Sequence, residues 1–188
     1  MHPLLCASRM TTGSNPVLSK SYVLDPRPLF PFQIVAKRYW IEEFPDTIDC
    51  DTKPREDDLT LVFMHGNGAH KEHWEPTIQR LFDNQQTAAR RTVRFHDMWS
   101  LDMPNQGDSA ILNEETLLWR YDICKMHIFF TVMKIQINSI PFGIYAVSLE
   151  HHARGVHAFL AGLGTGVDVD FSKRRLALVG HSMGGPVA

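Results

Sequence analysis

A glycine-x-serine-x-glycine pattern near the end of the sequence carries its clearest chemistry. The residues are Gly180-His181-Ser182-Met183-Gly184, and they follow the apolar run RLALV. Glycines on either side of a serine allow a sharp, strained strand-to-helix turn, because no side chain clashes at those two positions. Such a turn exposes the Ser182 hydroxyl at the edge of a sheet. The pattern therefore predicts a nucleophilic serine, although a five-residue pattern of this kind also arises by chance.

Another glycine turn, His65-Gly66-Asn67-Gly68, follows the apolar run LTLVFM; because it comes earlier in the chain, we call it the first glycine turn. An acyl-transfer site needs two N–H donors for the developing oxyanion. One donor is the residue after the nucleophile, here Met183, and the other comes from a loop after an earlier strand. We expect Asn67 to supply the second N–H, with Gly68 as the alternative. A tight turn without a catalytic part is the competing interpretation. The residues expected to shape or orient the two turns are His65, Gly66, Gly68, Gly180 and Gly184.

The elements that would position these turns alternate between strand and helix. Apolar periodicity predicts strands at 34–41, 59–65, 92–101 and 175–180, helices at 74–84 and 150–163, and a polar turn at 105–109. This order is typical of an α/β protein with a mostly parallel sheet. Both glycine turns fall at carboxyl ends of strands, where such folds bind ligands.

Composition narrows the class of protein further. The 188 residues are 44% hydrophobic with a net charge of −2, which suits one globular domain and supplies no basic field for nucleic acid. Three widely spaced cysteines are typical of free thiols in a reducing compartment. The sequence shows no secretory signal and no transmembrane segment. We therefore expect an intracellular, cytoplasmic protein; its oligomeric state cannot be read from the sequence.

Five segments of the sequence carry a family resemblance: LDPRPLFPF, VAKRYWI, LVFMHGNGAHKEHWEP, LDMPNQGDSA and GHSMGG. They resemble the alpha/beta-hydrolase superfamily, and more narrowly its fungal members related to peroxisomal lipase-like and toxin-biosynthesis hydrolases. The resemblance covers about residues 21–119 and 149–188.

This resemblance implies a serine esterase, lipase or thioesterase with a Ser–His–Asp triad, no cofactor and no metal. Ser182 would be the nucleophile, and Met183 and Asn67 would be the backbone oxyanion donors. The substrate would be a small-molecule ester or lipid-like ester of an apolar acid. A peroxisomal location is compatible with a full-length product.

The family order of the triad conflicts with the position of Ser182. Asp or Glu and then His follow the serine in this superfamily, yet the six residues after Ser182, MGGPVA, contain neither. We therefore expect residues 21–188 to be the amino-terminal part of a hydrolase domain, truncated after the nucleophile turn. Residues 1–20 are expected to form a flexible tail. Alone it should be inactive. The alternative is a catalytically inactive binding protein or a non-functional fragment.

Residues 120–147 interrupt the resemblance. Their sequence, RYDICKMHIFFTVMKIQINSIPFGIYAV, is rich in Ile, Phe and Val but shows no clear amphipathic face. The segment is interpreted either as a lid over the active site or as the translation of a retained intron. We favour the retained intron, because the abrupt carboxyl terminus needs the same explanation.

Overall fold

A mixed six-stranded sheet forms the centre of the computed structural model, which describes residues 8–10, 16–41, 58–87, 93–120 and 147–188. Its strands are β1 (Ser8–Met10), β2 (Val17–Leu24), β3 (Ile34–Ile41), β4 (Asp58–Met64), β5 (Arg94–Leu101) and β6 (Arg175–Gly180). Their order in the sheet is β1-β2-β3-β5-β4-β6. The predicted α/β class with flanking helices is confirmed.

Four α-helices and three short 3₁₀ turns accompany the sheet in the described residues. The helices are α1 (Glu75–Thr87), α2 (Gly107–Leu112), α3 (Glu114–Arg120) and α4 (Leu149–Leu160). The 3₁₀ turns are Lys71–Trp74, Phe171–Lys173 and Ser182–Gly184. Helix α4 begins with the Ser148 hydroxyl accepting a hydrogen bond from the His151 N–H, which satisfies a free donor of the first turn.

Strand β4 is buried on both faces, as its nearly continuous apolar sequence predicts. Val62 and Met64 belong to a core cluster that includes residues of α4. Leu61 and Phe63 belong to a second cluster on the opposite face, together with residues of α1. The alternation follows from the two-residue period of a strand. Strand β4 is therefore held between two helical layers, and it pairs in parallel with β5 and β6.

The amino-terminal strands differ from the expected mostly parallel sheet. Pairs β1–β2, β2–β3 and β3–β5 are antiparallel. A short connection joins β2 to β3, and a short link suits antiparallel strands, whereas parallel strands need a long crossover. The predicted flexible tail at 1–20 also needs correction, because residues 8–10 form β1 and residues 17–20 lie in β2. Val17 and Ser19 are buried there, because their side chains face the sheet's covered side.

Other predictions change in an element's bounds or in its burial. Helix α4 ends at Leu160 instead of Leu163, because Gly162 takes the left-handed conformation (φ 63°) and Leu163 N–H bonds back to Ala158 C=O. The polar turn predicted at 105–109 is only partly a turn, since α2 begins at Gly107. The predicted buried strand at 175–180 is half-exposed to exposed, because β6 pairs with β4 on one side and lies at the sheet edge.

Several predictions fall outside the described residues. The atypical segment is described only at its ends, so both its lid and its intron interpretation stay predictions. All three cysteines also lie outside the described residues. Within the described parts of the chain, no helix combines the length and apolar character needed to cross a membrane.

Candidate active site

Ser182 follows β6 after a single residue and has an unusual backbone. Its φ of 53° makes it the one residue other than glycine with a positive φ among those described. The preceding His181 N–H donates to Met64 C=O at 3.1 Å, which continues the β6–β4 pairing up to the turn. A serine held in the left-handed region costs free energy and persists only where its surroundings enforce it. The turn presents Ser182 at the surface, at the carboxyl end of the parallel strands.

The two glycines around Ser182 are required by close backbone contacts. A β-carbon on Gly180 would overlap the carbonyl oxygen of Gly184. A β-carbon on Gly184 would overlap the carbonyl oxygen of Met64, at the end of β4. Any side chain at either position would therefore force the turn apart. This is the physical reason for the glycine spacing in the sequence pattern.

The first glycine turn lies against this serine. A β-carbon on Gly66 would lie 3.0 Å from Ser182 Cβ and 3.0 Å from His181 Nδ1. Gly68 N–H donates to the Gln106 side-chain oxygen at 2.9 Å, so this N–H is already engaged. Across the described parts of the chain, the backbone N–H groups of Asn67 and Met183 donate to no acceptor. Of the two donors considered for this loop, Asn67 is the one with its N–H free.

His65, at the end of β4, contacts the loop that follows β5. Its buried ring accepts the Met103 N–H at Nε2, 3.2 Å away, and its Nδ1 lies 2.8 Å from Gly66 C=O. These two contacts require the neutral tautomer with its proton on Nδ1, because Nε2 must accept. Burial lowers the pKa of His65, which favours this neutral form. The imidazole thus holds Gly66 in place through its carbonyl.

A buried ion-pair network ties the first glycine turn to the loop after β5, and the sequence analysis did not identify it. Lys71 Nζ lies 3.0 Å from Asp102 and 2.6 Å from Asp108, while Lys71 N–H donates to the other Asp102 oxygen at 2.7 Å. Burial alone lowers the pKa of Lys71, but Asp102, Asp108 and Glu72 together outweigh it and raise that pKa. In the sequence, the signal that could have indicated this network is the pair Asp102 and Asp108, which flank the polar turn directly after β5.

The serine hydroxyl has no proton acceptor against it in the described part of the chain. Among the residues that the structure describes, Ser182 forms no side-chain hydrogen bond to an imidazole or a carboxylate. His181, next to it, is exposed, and His65 is committed to the loop. Nor do three His, Cys, Asp or Glu side chains gather in a group that could hold a metal ion within this described part.

A second buried histidine, His152, lies on α4 with its ring centroid 6.5 Å from that of His65. Neither of its ring nitrogens has a hydrogen-bond partner among the described residues. Burial, with a smaller contribution from His65, lowers the pKa of His152 to about 4. The ring is therefore neutral near pH 7, which makes it an unpaired polar group in the core and not a charged one.

Comparison with known proteins gives a family match and several similar solved structures, two of them hydrolases. The peroxisomal alpha-beta-hydrolase Lpx1 of Saccharomyces cerevisiae is 19% identical with a TM-score of 0.49, and the match covers 93% of this chain and 39% of that one. An enantioselective mutant of epoxide hydrolase from Aspergillus niger is 16% identical with a TM-score of 0.43, covering 93% of this chain and 30% of that one. The chain thus spans well under half the length of both.

Among curated proteins, no significant match was found. The family model described as "Alpha/beta hydrolase family" matches residues 61–188, which is more than half of the chain and includes both glycine turns. The matched region contains the serine turn at the end of β6 and the first glycine turn at the end of the neighbouring strand β4. The chain belongs to the alpha/beta hydrolase family.

Proposed function

We propose that this chain is the nucleophile-bearing part of a serine hydrolase that cleaves an ester of an apolar acid through an acyl-enzyme on Ser182. The observation that carries the proposal is the left-handed backbone of Ser182, with Gly66 of the first glycine turn directly beside it. A strained serine between obligatory glycines exposes its hydroxyl to a substrate carbonyl. Membership of the alpha/beta hydrolase family supports a hydrolase.

The proposed chemistry begins with attack of Ser182 Oγ on the ester carbonyl carbon. The carbonyl oxygen becomes an oxyanion, which accepts hydrogen bonds from the backbone N–H groups of Met183 and Asn67. The alcohol then leaves with a proton, and the acyl group stays on Ser182 until water releases it as the acid. Neither N–H has an acceptor among the described residues, and the Gly68 N–H is engaged with Gln106; both observations support this assignment.

A serine hydroxyl needs a general base near neutral pH. We expect the triad Asp and His to lie beyond Ala188 in the full-length protein, as the family order implies. The small-molecule or lipid-like ester substrate, the absence of a cofactor and the intracellular location, cytoplasmic or peroxisomal, belong to the same proposal.

The function is tested by hydrolysis of p-nitrophenyl esters of increasing acyl length by the full-length protein that contains this chain. We expect a burst of p-nitrophenol equal to the enzyme concentration, and higher kcat/KM for longer acyl chains. Ser182→Ala should abolish both the burst and turnover. Saturable binding of the same esters without any turnover would favour the alternative, a non-catalytic binding protein with this fold.

A further inference from the structure

We propose that Gln106 is a positioning residue that fixes the first glycine turn so that the Asn67 N–H stays available to the oxyanion. This inference rests on the proposed function. The Gln106 amide makes two hydrogen bonds across to the turn. Its Nε2 donates to Asn67 Oδ1 at 2.7 Å, and its Oε1 accepts the Gly68 N–H at 2.9 Å.

The tip of the turn, Asn67 and Gly68, needs such an external tether because it has few other contacts, whereas Gly66 and Lys71 on either side are already held. Asn67 and Gly68 are both exposed, and Gly68 has a φ of 78°, which glycine leaves as readily as it adopts. One backbone hydrogen bond, from Ala69 N–H to Gly66 C=O at 3.2 Å, closes the turn internally. The amide of Gln106 binds the Asn67 side chain and the Gly68 N–H at the same time. These two bonds set the orientation of the peptide group between Asn67 and Gly68.

Gln106 itself is well anchored. Its N–H donates to Met103 C=O at 3.0 Å, and its C=O accepts the Ala110 N–H at 3.3 Å in the first turn of α2. Two residues further on, Asp108 N–H bonds to the buried Asp102 carboxylate, which also holds Lys71 at the far end of the glycine turn. The glycine turn is thus held at both ends by the loop after β5.

The chemistry of the contact restricts what can replace it. One end of the side chain must donate and the other must accept. Gln106→Glu keeps the acceptor for Gly68 N–H but faces Asn67 Oδ1 with a second acceptor. Gln106→Met has nearly the same length and keeps neither bond. Because Gln106 would act through the loop and not on the substrate, its loss should lower kcat while leaving KM within about twofold.

The experiment compares wild type, Gln106→Met and Gln106→Glu in the full-length protein, with p-nitrophenyl butyrate as substrate. Removal of a whole oxyanion donor costs about 10²–10³ in kcat, so a loosened donor should cost at least about tenfold. Gln79→Met is the matched control, since Gln79 also uses its amide in a hydrogen bond, to Asp83 on α1, away from both turns. We expect wild-type kcat from this control.

The ¹H–¹⁵N signal of Gly68 supplies a readout that does not depend on activity. In Gln106→Met it should shift and its hydrogen exchange should accelerate, while Gln79→Met should leave it unchanged. If wild type hydrolyses the ester and Gln106→Met has the same kcat, the role of Gln106 is refuted and the proposed function stands. If wild type does not hydrolyse any ester, the proposed function fails, and an unchanged Gly68 signal in Gln106→Met would refute the tether separately.

Discussion

Gly66 and Ser182 face each other across two neighbouring parallel strands, so closely that a β-carbon on Gly66 would lie 3.0 Å from Ser182 Cβ. The strand register explains this approach. Met64 pairs with Gly180 at the ends of β4 and β6, and each of the facing residues comes two positions later. The sheet therefore brings two sequence-distant turns to one point.

The spacing of the glycines around the serine predicts a position-specific effect of alanine. Gly184→Ala should lower the free energy of unfolding by about 3 kcal/mol or more, because its β-carbon would overlap the Met64 carbonyl at the end of a buried strand. Gly185→Ala is the control, since its β-carbon would meet only Ser182 C=O at 3.2 Å and its φ is −62°. Urea denaturation of both variants measures the difference. Equal destabilisation by the two would contradict the geometry of the turn.

The left-handed backbone of Ser182 predicts that glycine is better tolerated there than alanine. Both replacements remove the hydroxyl, but only glycine relieves the strain of a φ of 53°. Ser182→Gly should therefore be more stable to chemical denaturation than Ser182→Ala by about 1 kcal/mol. A Ser182→Ala protein as stable as Ser182→Gly would mean that the serine is not strained.

The buried position of Lys71 predicts a large cost when its charge is removed. Lys71→Met would leave the fully buried Asp102 carboxylate without its ammonium partner, and should cost about 3 kcal/mol or more in unfolding free energy. Lys173→Met provides the comparison, because Lys173 and Asp170 form an exposed pair at 2.8 Å, and such a pair contributes little to stability. Thermal or urea unfolding of both variants measures the two losses of unfolding free energy. Similar losses would contradict the buried ion pair.

His152 predicts a pH dependence of stability. Its pKa is about 4 in the folded protein and about 6.5 when exposed, so the unfolded chain takes up the proton first as the pH falls. The unfolding free energy linked to this proton is therefore highest above pH 6.5, where His152 is neutral in both states, and it falls between pH 6.5 and 4. Between pH 7.5 and 5 the loss should be about 2 kcal/mol.

His152→Leu should remove that loss, and it should stabilise the protein at pH 7.5 because it replaces two unpaired ring nitrogens with apolar atoms. Unfolding free energies of wild type and His152→Leu at pH 7.5 and pH 5 give the difference directly. Burial also lowers the pKa of His65 and of His96, but those groups are common to both proteins. Parallel pH profiles for the two proteins would show that His152 is not buried as described.

Local sequence patterns were enough to predict the elements that carry the site. Strand β3 occupies the predicted residues 34–41, and β4 differs from its prediction by one residue at each end. Both patterns are strong because the strands are buried or rich in β-branched and aromatic residues. The glycine spacing predicted the turn at Ser182, since the backbone contact that requires glycine is local to the turn and its neighbouring strand.

Contacts between distant segments could not be predicted in the same way. The pairing of Lys71 with Asp102, and that of Gln106 with Asn67, depend on two loops meeting at one edge of the sheet. No residue spacing in the sequence indicates that these two loops come into contact. The antiparallel order of the first strands and the exposure of β6 are likewise properties of the assembled sheet.

The central claim is that Ser182 is the nucleophile, and covalent labelling tests it most directly. The full-length protein would be treated with a fluorophosphonate probe, digested and mapped by mass spectrometry, beside Ser182→Ala and a Ser172→Ala control that changes another exposed serine. We predict one stoichiometric adduct on the peptide containing Ser182, retained in Ser172→Ala and absent from Ser182→Ala. A folded protein that hydrolyses esters yet carries no adduct on Ser182 would contradict the account.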